Sequence, residues 1–265
     1  MTDTVRIDLH CHSSASDGDH SPAHVAKRLS EDGVTWAALT DHNTVEGQSA
    51  FRAALDRYAI SCVPGVEIDA RLSSGPVLHI LGYGIALDDQ ALLDVLKTVR
   101  QPWRTSFRLL GARLRGATSR GPERPAIATL PDGTDAATNR PLSTAMAIRL
   151  IHDAGGFAFL AHPIESLRDF ERIESALDIL QPEGLDGIEV FHKSYPEHAR
   201  EGLLALAKRR GLVATGGSDF HGLDHSDGAS VGVDMPVEQW IEITRLVAKR
   251  TDPVPLSALN GKTAD

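Results

Sequence analysis

Cysteine is nearly absent from this 265-residue chain: there are two, Cys11 and Cys62. A disulfide framework is thereby excluded, and a reducing compartment is the expected setting. Aromatic residues make up only 5% of the sequence, and Trp36, Trp103 and Trp240 form no array on which single-stranded nucleic acid could stack. Basic residues are outnumbered, 27 against 36 acidic, for a formal net charge of -9. That balance argues against non-specific binding of long nucleic acid, which needs many Lys and Arg contacts to phosphates. It does not exclude a small phosphorylated substrate, because bound cations can supply the missing positive charge. No run approaches the roughly 18 apolar residues of a membrane helix, and Met1 to Val5 lacks the basic and apolar regions of a secretion signal. No membrane partner and a cytoplasmic location are therefore expected. The oligomeric state is not legible.

What is present is an ordinary globular composition, 42% hydrophobic and 24% charged. Short β-rich runs alternate with amphipathic segments, the pattern of strand–helix units around a parallel sheet or barrel. Strands are expected at 5–10, 35–40, 60–68, 77–83, 157–161, 185–191 and 212–216. Helices are expected at 22–31, 45–58, 90–114, 143–154, 167–180, 196–210 and 237–249. Arg115 to Pro141, rich in Gly, Pro, Thr and Arg, breaks the rhythm and reads as a long loop or reduced insertion. The expected organisation is a barrel domain over 1–99 and 142–250, a short insertion or cap over 100–141, and a flexible tail over 251–265.

Potential metal ligands fall where these strands end. His10 and His12 close the first run, His42 follows the second, Glu67 ends the third, and His79 lies in the fourth. His162 follows the fifth, and Asp219 and His221 follow the seventh. In a barrel of parallel strands such ends converge on one face. His10 and His12, two apart, point to the same side of a strand. Asp8 shares that side and could fix the tautomer of a ligand histidine. Asp17-Gly18 is a turn that can swing a carboxylate over the site. Imidazole and carboxylate ligands without thiolates suit catalytic Zn, Mn or Fe rather than a structural zinc knot.

Singly, these residues have plainer readings. A His-x-His pair can be hydrogen-bonded core, Asp17 can be only a turn residue, and His79 sits in an apolar run. Glu67 resists that reading, since a carboxylate closing an apolar strand is costly to bury unless paired or metal-bound.

The runs Asp8-Leu9-His10-Cys11-His12-Ser13, Ser16-Asp17-Gly18, Leu39-Thr40-Asp41-His42-Asn43-Thr44, Pro64-Gly65-Val66-Glu67, Ala161-His162-Pro163, Gly187-Ile188-Glu189-Val190 and Gly217-Ser218-Asp219-Phe220-His221 resemble the PHP (polymerase and histidinol phosphatase) family across essentially the whole chain. The resemblance implies an α/β fold, a distorted (β/α)7 barrel, holding two or three divalent ions. By that likeness one ion takes His10, His12, Glu67 and Asp219, a second shares Glu67 with His79 and His162, and a third takes Asp17, His42 and His221. The closest resemblance is to stand-alone phosphatases of nucleoside 3',5'-bisphosphates, with the RNA 5'-end exonucleases and cyclic phosphate hydrolases beside them. The implied reaction is attack of metal-activated hydroxide on a phosphate ester of a small metabolite, a nucleotide foremost.

Asp17 and His192 are the candidate catalytic groups, His192 as proton donor to the leaving oxygen. Asp8 and Asp41 are candidate supports of the ligands. Lys193, Arg168, Arg104, Arg120 and Arg124, with Arg100 and Arg108, are candidate phosphate contacts. A metal amidohydrolase and a non-catalytic metal-binding module are the competing readings. The first usually bridges its two ions with a modified lysine, and no lysine lies near Glu67 or His79; the second usually shows missing ligands.

Overall fold

A computed structural model describes residues 3–73, 75–99, 141–222 and 230–248. Arg100, Arg104, Arg108, Arg120 and Arg124, most of the 100–141 segment and the 251–265 tail lie outside the described residues. Two sheets carry the fold. The first joins β1 (Thr4–Cys11), β2 (Trp36–Leu39) and β3 (Ser61–Cys62), with β10 (Val233–Pro236) on the outer edge of β1. The second runs β6 (Leu142–Ser143), β4 (Gly65–Arg71), β5 (Val77–Tyr83), β7 (Phe157–Leu160), β8 (Gly187–His192) and β9 (Val213–Gly217).

The sheets meet at two seams. At one, the His12 amide donates to the Phe220 carbonyl at 2.8 Å and the Asp219 amide to the His10 carbonyl at 2.8 Å, laying β1 beside the end of β9. At the other, the Asn43 amide donates to the Glu67 carbonyl at 2.8 Å, joining the exit of β2 to β4. The strands β1, β2, β4, β5, β7, β8 and β9 thus follow one another around a ring, the distorted seven-stranded barrel expected.

The helices are α1 (Pro22–Glu31), α2 (Gln48–Leu55), α3 (Gln90–Val99), α4 (Thr144–Asp153), α5 (Pro163–Leu167), α6 (Phe170–Leu180), α7 (Glu197–Arg210) and α8 (Val237–Ala248), with a 3-10 turn, Asp56–Tyr58, after α2. Ser21 accepts a hydrogen bond from the His24 amide and Pro22 occupies the first turn of α1, so the start of that helix follows its sequence signals. Buried Val25, Ala26 and Leu29 of α1 pack with Phe51 and Leu55 of α2 in a satellite core beside β1 and β2. The larger core fills the space between the second sheet and its helices. No helix among the described residues is long and apolar enough to cross a membrane.

The structure departs from the sequence expectations in several places. The run expected over 60–68 is two strands, because the chain passes from one sheet to the other at Val63-Pro64, and proline offers no amide to a ladder. β5 is antiparallel to both neighbours, β4 and β7, so the barrel is not all-parallel. β10, antiparallel to β1, was not expected. The helix expected over 167–180 begins at Phe170, where Asp169 accepts from the Arg172 amide, and a separate short helix, Pro163–Leu167, precedes it and ends at Arg168, whose φ is 78°.

Candidate metal centre

The reversal of β5 brings His79 to the site. Residues at the ends of β1 and β2, and Glu67, third in β4, reach one face of the barrel; His79, third in an antiparallel strand, reaches the same face from the opposite direction, opposite Asp69 in register. His10 and His12 arrive from β1, and Asp219 and His221 from the turn after β9, where Asp219 has φ 53°.

Two glycines permit this crowding. A Cβ on Gly217 would lie 2.4 Å from the His10 Cβ and 2.5 Å from its amide nitrogen. One on Gly18 would lie 2.8 Å from the His12 carbonyl, so the turn carrying Asp17 can fold over β1 only with glycine there.

Four donor atoms form a closed set. His10 Nε2 lies 3.3 Å from Glu67 Oε2 and 3.2 Å from Asp219 Oδ1; His12 Nε2 lies 3.1 Å from each. All four atoms are buried without a geometrically sound hydrogen-bond partner. Ligands about 2.0–2.1 Å from a tetrahedral ion are separated by roughly 3.3 Å, so these edges fit one cation. The other carboxylate oxygen, Glu67 Oε1, lies 3.0 Å from His79 Nδ1 and 3.2 Å from His162 Nε2, and those two nitrogens are 3.1 Å apart. Glu67 therefore faces two donor sets at once. A third set gathers Asp17 Oδ2, 3.4 Å from His221 Nε2 and 3.7 Å from His42 Nε2, with His12 close enough to join it. His42 also reaches Glu67 Oε2 at 3.4 Å, linking this set to the others.

The histidines are oriented from behind. His10 Nδ1 donates to Glu189 (3.1 Å), His42 Nδ1 to Asp69 (3.0 Å) and His221 Nδ1 to the Asp219 carbonyl (2.8 Å); His162 Nδ1 meets the Ser166 hydroxyl at 3.1 Å. In each ring Nε2 is left to face the cluster, the arrangement that fixes tautomer and direction in metal sites. Glu189 also accepts from the His162 amide at 2.7 Å, and Asp69 from Asn43 Nδ2 at 2.8 Å.

The electrostatics favour bound positive charge. Burial opposes ionisation of Glu67, yet His42, His10 and His79 hold its carboxyl well below the ordinary range. Burial likewise opposes the charge on Asp219, and His10 and His12 outweigh it. Burial would depress His10, but Asp219, Glu189 and Glu67 push it well up, and the same contest, with Glu67 and Asp69 as the raising groups, lifts His42 to about 9. Without cations, this cluster collects protons instead.

The remaining candidates fall around this centre. Asp8 does not hold a histidine ring: it accepts from the Ser218 amide (2.9 Å) and hydroxyl (2.6 Å), the Gly232 amide (2.8 Å) and the His10 amide (3.3 Å), because the last turn of chain wraps over its side of β1. The carboxylate that holds His10 is Glu189, on β8. Asp41 accepts from the Ser13 amide (2.7 Å), the Ser13 hydroxyl (2.8 Å) and the Ser16 hydroxyl (2.6 Å), and so supports the Asp17 turn. His192 is buried beside the cluster, a ring nitrogen lying within 4.8 Å of an Asp219 oxygen. The Lys193 ammonium donates to the Ser230 carbonyl. Arg168 is exposed on the rim between α5 and α6.

Asp69, Glu189, Asn43, Ser218 and Ser166 had been given no role from sequence. Asp69 shares the face of Glu67 two residues on, and Glu189 is a carboxylate inside an apolar strand, the same signal that singled out Glu67.

The PHP domain family matches residues 8–214. The chain belongs to the PHP family. Among similar PHP relatives, a phosphoribosyl 1,2-cyclic phosphate 1,2-diphosphodiesterase of Eggerthella lenta is 29% identical over 252 residues, covering 81% of this chain and 94% of the relative. A 3',5'-nucleoside bisphosphate phosphatase of Chromobacterium violaceum is 29% identical over 250 residues, covering 82% and 87%. A solved Chromobacterium violaceum structure described as an amidohydrolase, with sulfate bound and no metal, superposes with a TM-score of 0.68 at 28% identity, covering 85% and 90%.

Proposed function

We propose that this PHP protein, a metal-dependent phosphoesterase, hydrolyses the phosphate ester of a small metabolite, a nucleoside 3',5'-bisphosphate foremost, using Mn, Zn or Fe. The observation that carries this reading is Glu67, whose two carboxylate oxygens face separate donor sets. His10, His12, Glu67 and Asp219 would hold one ion, Glu67, His79 and His162 a second, and Asp17, His42 and His221 a third. Such ions acidify water and neutralise charge on phosphate oxygens.

The chain's own groups complete the task. His192 would give a proton to the leaving oxygen, a role supported by its Nε2, which is buried and free of a hydrogen-bond partner. Asp17, partly exposed, is the second candidate catalytic group. We assign 1–99 and 142–250 to the catalytic barrel and 100–141 to a reduced insertion or cap, with Arg104, Arg120, Arg124 and Arg168 as the candidate phosphate contacts. The compartment is the cytoplasm.

Phosphate release by manganese-loaded protein tests the substrate, across nucleoside bisphosphates, sugar phosphates, cyclic phosphates and short 5'-phosphorylated RNA. The bisphosphate should be fastest. A preference for the cyclic ester would favour the second reading, a phosphodiesterase, which the Eggerthella lenta relative supports. Turnover of amides or lactones alone would restore the amidohydrolase reading, which the lack of a lysine near Glu67 or His79 in the sequence disfavours.

A further inference from the structure

His192 ends β8 with its ring fully buried. Its Nδ1 lies 2.8 Å from the Ser194 hydroxyl, and that hydroxyl lies 2.8 Å from Glu165 Oε1 on α5. A hydroxyl has one proton to give, and an ionised carboxylate can only accept. The Ser194 proton therefore goes to Glu165, and its oxygen must accept from His192, which places a hydrogen on Nδ1. The Ser194 amide approaches the same nitrogen at 3.3 Å, a contact that asks for the opposite tautomer. It is the longer of the two, and a hydroxyl already donating to a carboxylate is the stronger acceptor. The ring has little freedom to turn. Tyr195 packs on it with centroids 4.8 Å apart, His162 meets it edge-on at 6.3 Å, and Arg200 donates to the His192 carbonyl at 2.8 Å. Nε2 is left buried without a hydrogen-bond partner, in a ring that has one nitrogen within 4.8 Å of an Asp219 oxygen.

We propose that Ser194 and Glu165 are positioning residues that fix the Nδ1–H tautomer of His192 and keep its Nε2 turned to the reaction site. This rests on the reading of His192 as proton donor. When the P–O ester bond breaks, its electron pair goes to the leaving oxygen, which takes the Nε2 proton of the His192 imidazolium, the form that carries a proton on both nitrogens. The imidazole that remains is the Nδ1–H form held by Ser194, and a solvent proton returns it to the starting state. Water supplies the oxygen that phosphate gains.

Two measurements on the full-length protein decide the matter. In zinc-loaded protein labelled with 15N-histidine, the signals of the neutral His192 ring (identified by their loss in His192→Asn) should show protonated Nδ1 and bare Nε2. Ser194→Ala should mix or invert that pattern, and Ser194→Thr should restore it. The second measurement is the ratio of kcat for an alkyl phosphate, whose leaving oxygen needs a proton, to kcat for 4-nitrophenyl phosphate, whose leaving oxygen does not.

General-acid assistance contributes about 100- to 10,000-fold, so the ratio should fall by about 10-fold or more in Ser194→Ala and Glu165→Ala and recover in Ser194→Thr. An unchanged tautomer in Ser194→Ala, or equal losses on both esters, overturns the proposal. If His192→Asn itself lowers both esters equally, the proton-donor reading falls and the relay with it. If His192→Asn separates them and Ser194→Ala does not, the relay alone falls.

Discussion

Glu189 and Asp69 hold ligand histidines from behind, and each does so through a carboxylate that is itself buried or nearly so. Removing such a support leaves the ligand in place but poorly aimed. Glu189→Gln and Asp69→Asn should each weaken metal binding by about 10- to 100-fold with the fold intact, measured by competition with a chelator and by circular dichroism. Protons compete for the same atoms. In the metal-free protein His42 rests at about 9, and His10, His12, His162 and His221 are also raised, because neighbouring carboxylates outweigh burial. Ligands must lose their protons to bind, so metal affinity should climb between pH 6 and 9, as titration calorimetry in that range can show. A flat profile would mean that these rings carry no protons to displace.

The strand ends were the informative part of the sequence: alternation placed His10 with His12, and a carboxylate in an apolar run marked Glu67. Direction was not legible. A period of two is the same for parallel and antiparallel strands, so nothing in Val77 to Tyr83 announced that β5 runs backwards. β10 escaped notice because Val233-Asp-Met-Pro is four residues long and ends in proline, too short for a periodic signal. Asp8 was assigned to the wrong partner for a related reason, since the donors that claim it come from the far end of the chain. At this scale two substitutions are informative. Asp8→Ala orphans buried donors on Ser218, Gly232 and His10, at about 1–3 kcal/mol each for groups that find no substitute, and should visibly lower the urea midpoint. Gly217→Ala presses a methyl into the His10 backbone, and should cost about 1–3 kcal/mol as overpacking while displacing that ligand. Stability unchanged in both would mean that the seam between β1 and β9 is looser than these distances indicate.

For the molecule as a whole, the donor sets concentrate carboxylates and histidines from strands on both sides of the two seams. A cation bound there ties the sheets together and stabilises only the folded chain. At a free concentration about 100 times Kd the gain is about 2.7 kcal/mol, or roughly 5–10 °C in Tm for a domain of this size. Chelation followed by a thermal scan should show that drop, and readdition of Mn or Zn should reverse it. An identical Tm with and without metal would detach the cluster from the fold.

The hydrogen bonds to Asp8 come from Ser218 and Gly232, separated from it in sequence by 210 and 224 residues. During synthesis, then, the strand bearing His10 and His12 leaves the ribosome early and must wait for its fastening. A nascent polypeptide halted short of Gly232 would carry most of the ligands and still lack the latch that sets them, so cation loading belongs to the last moments of translation or after release.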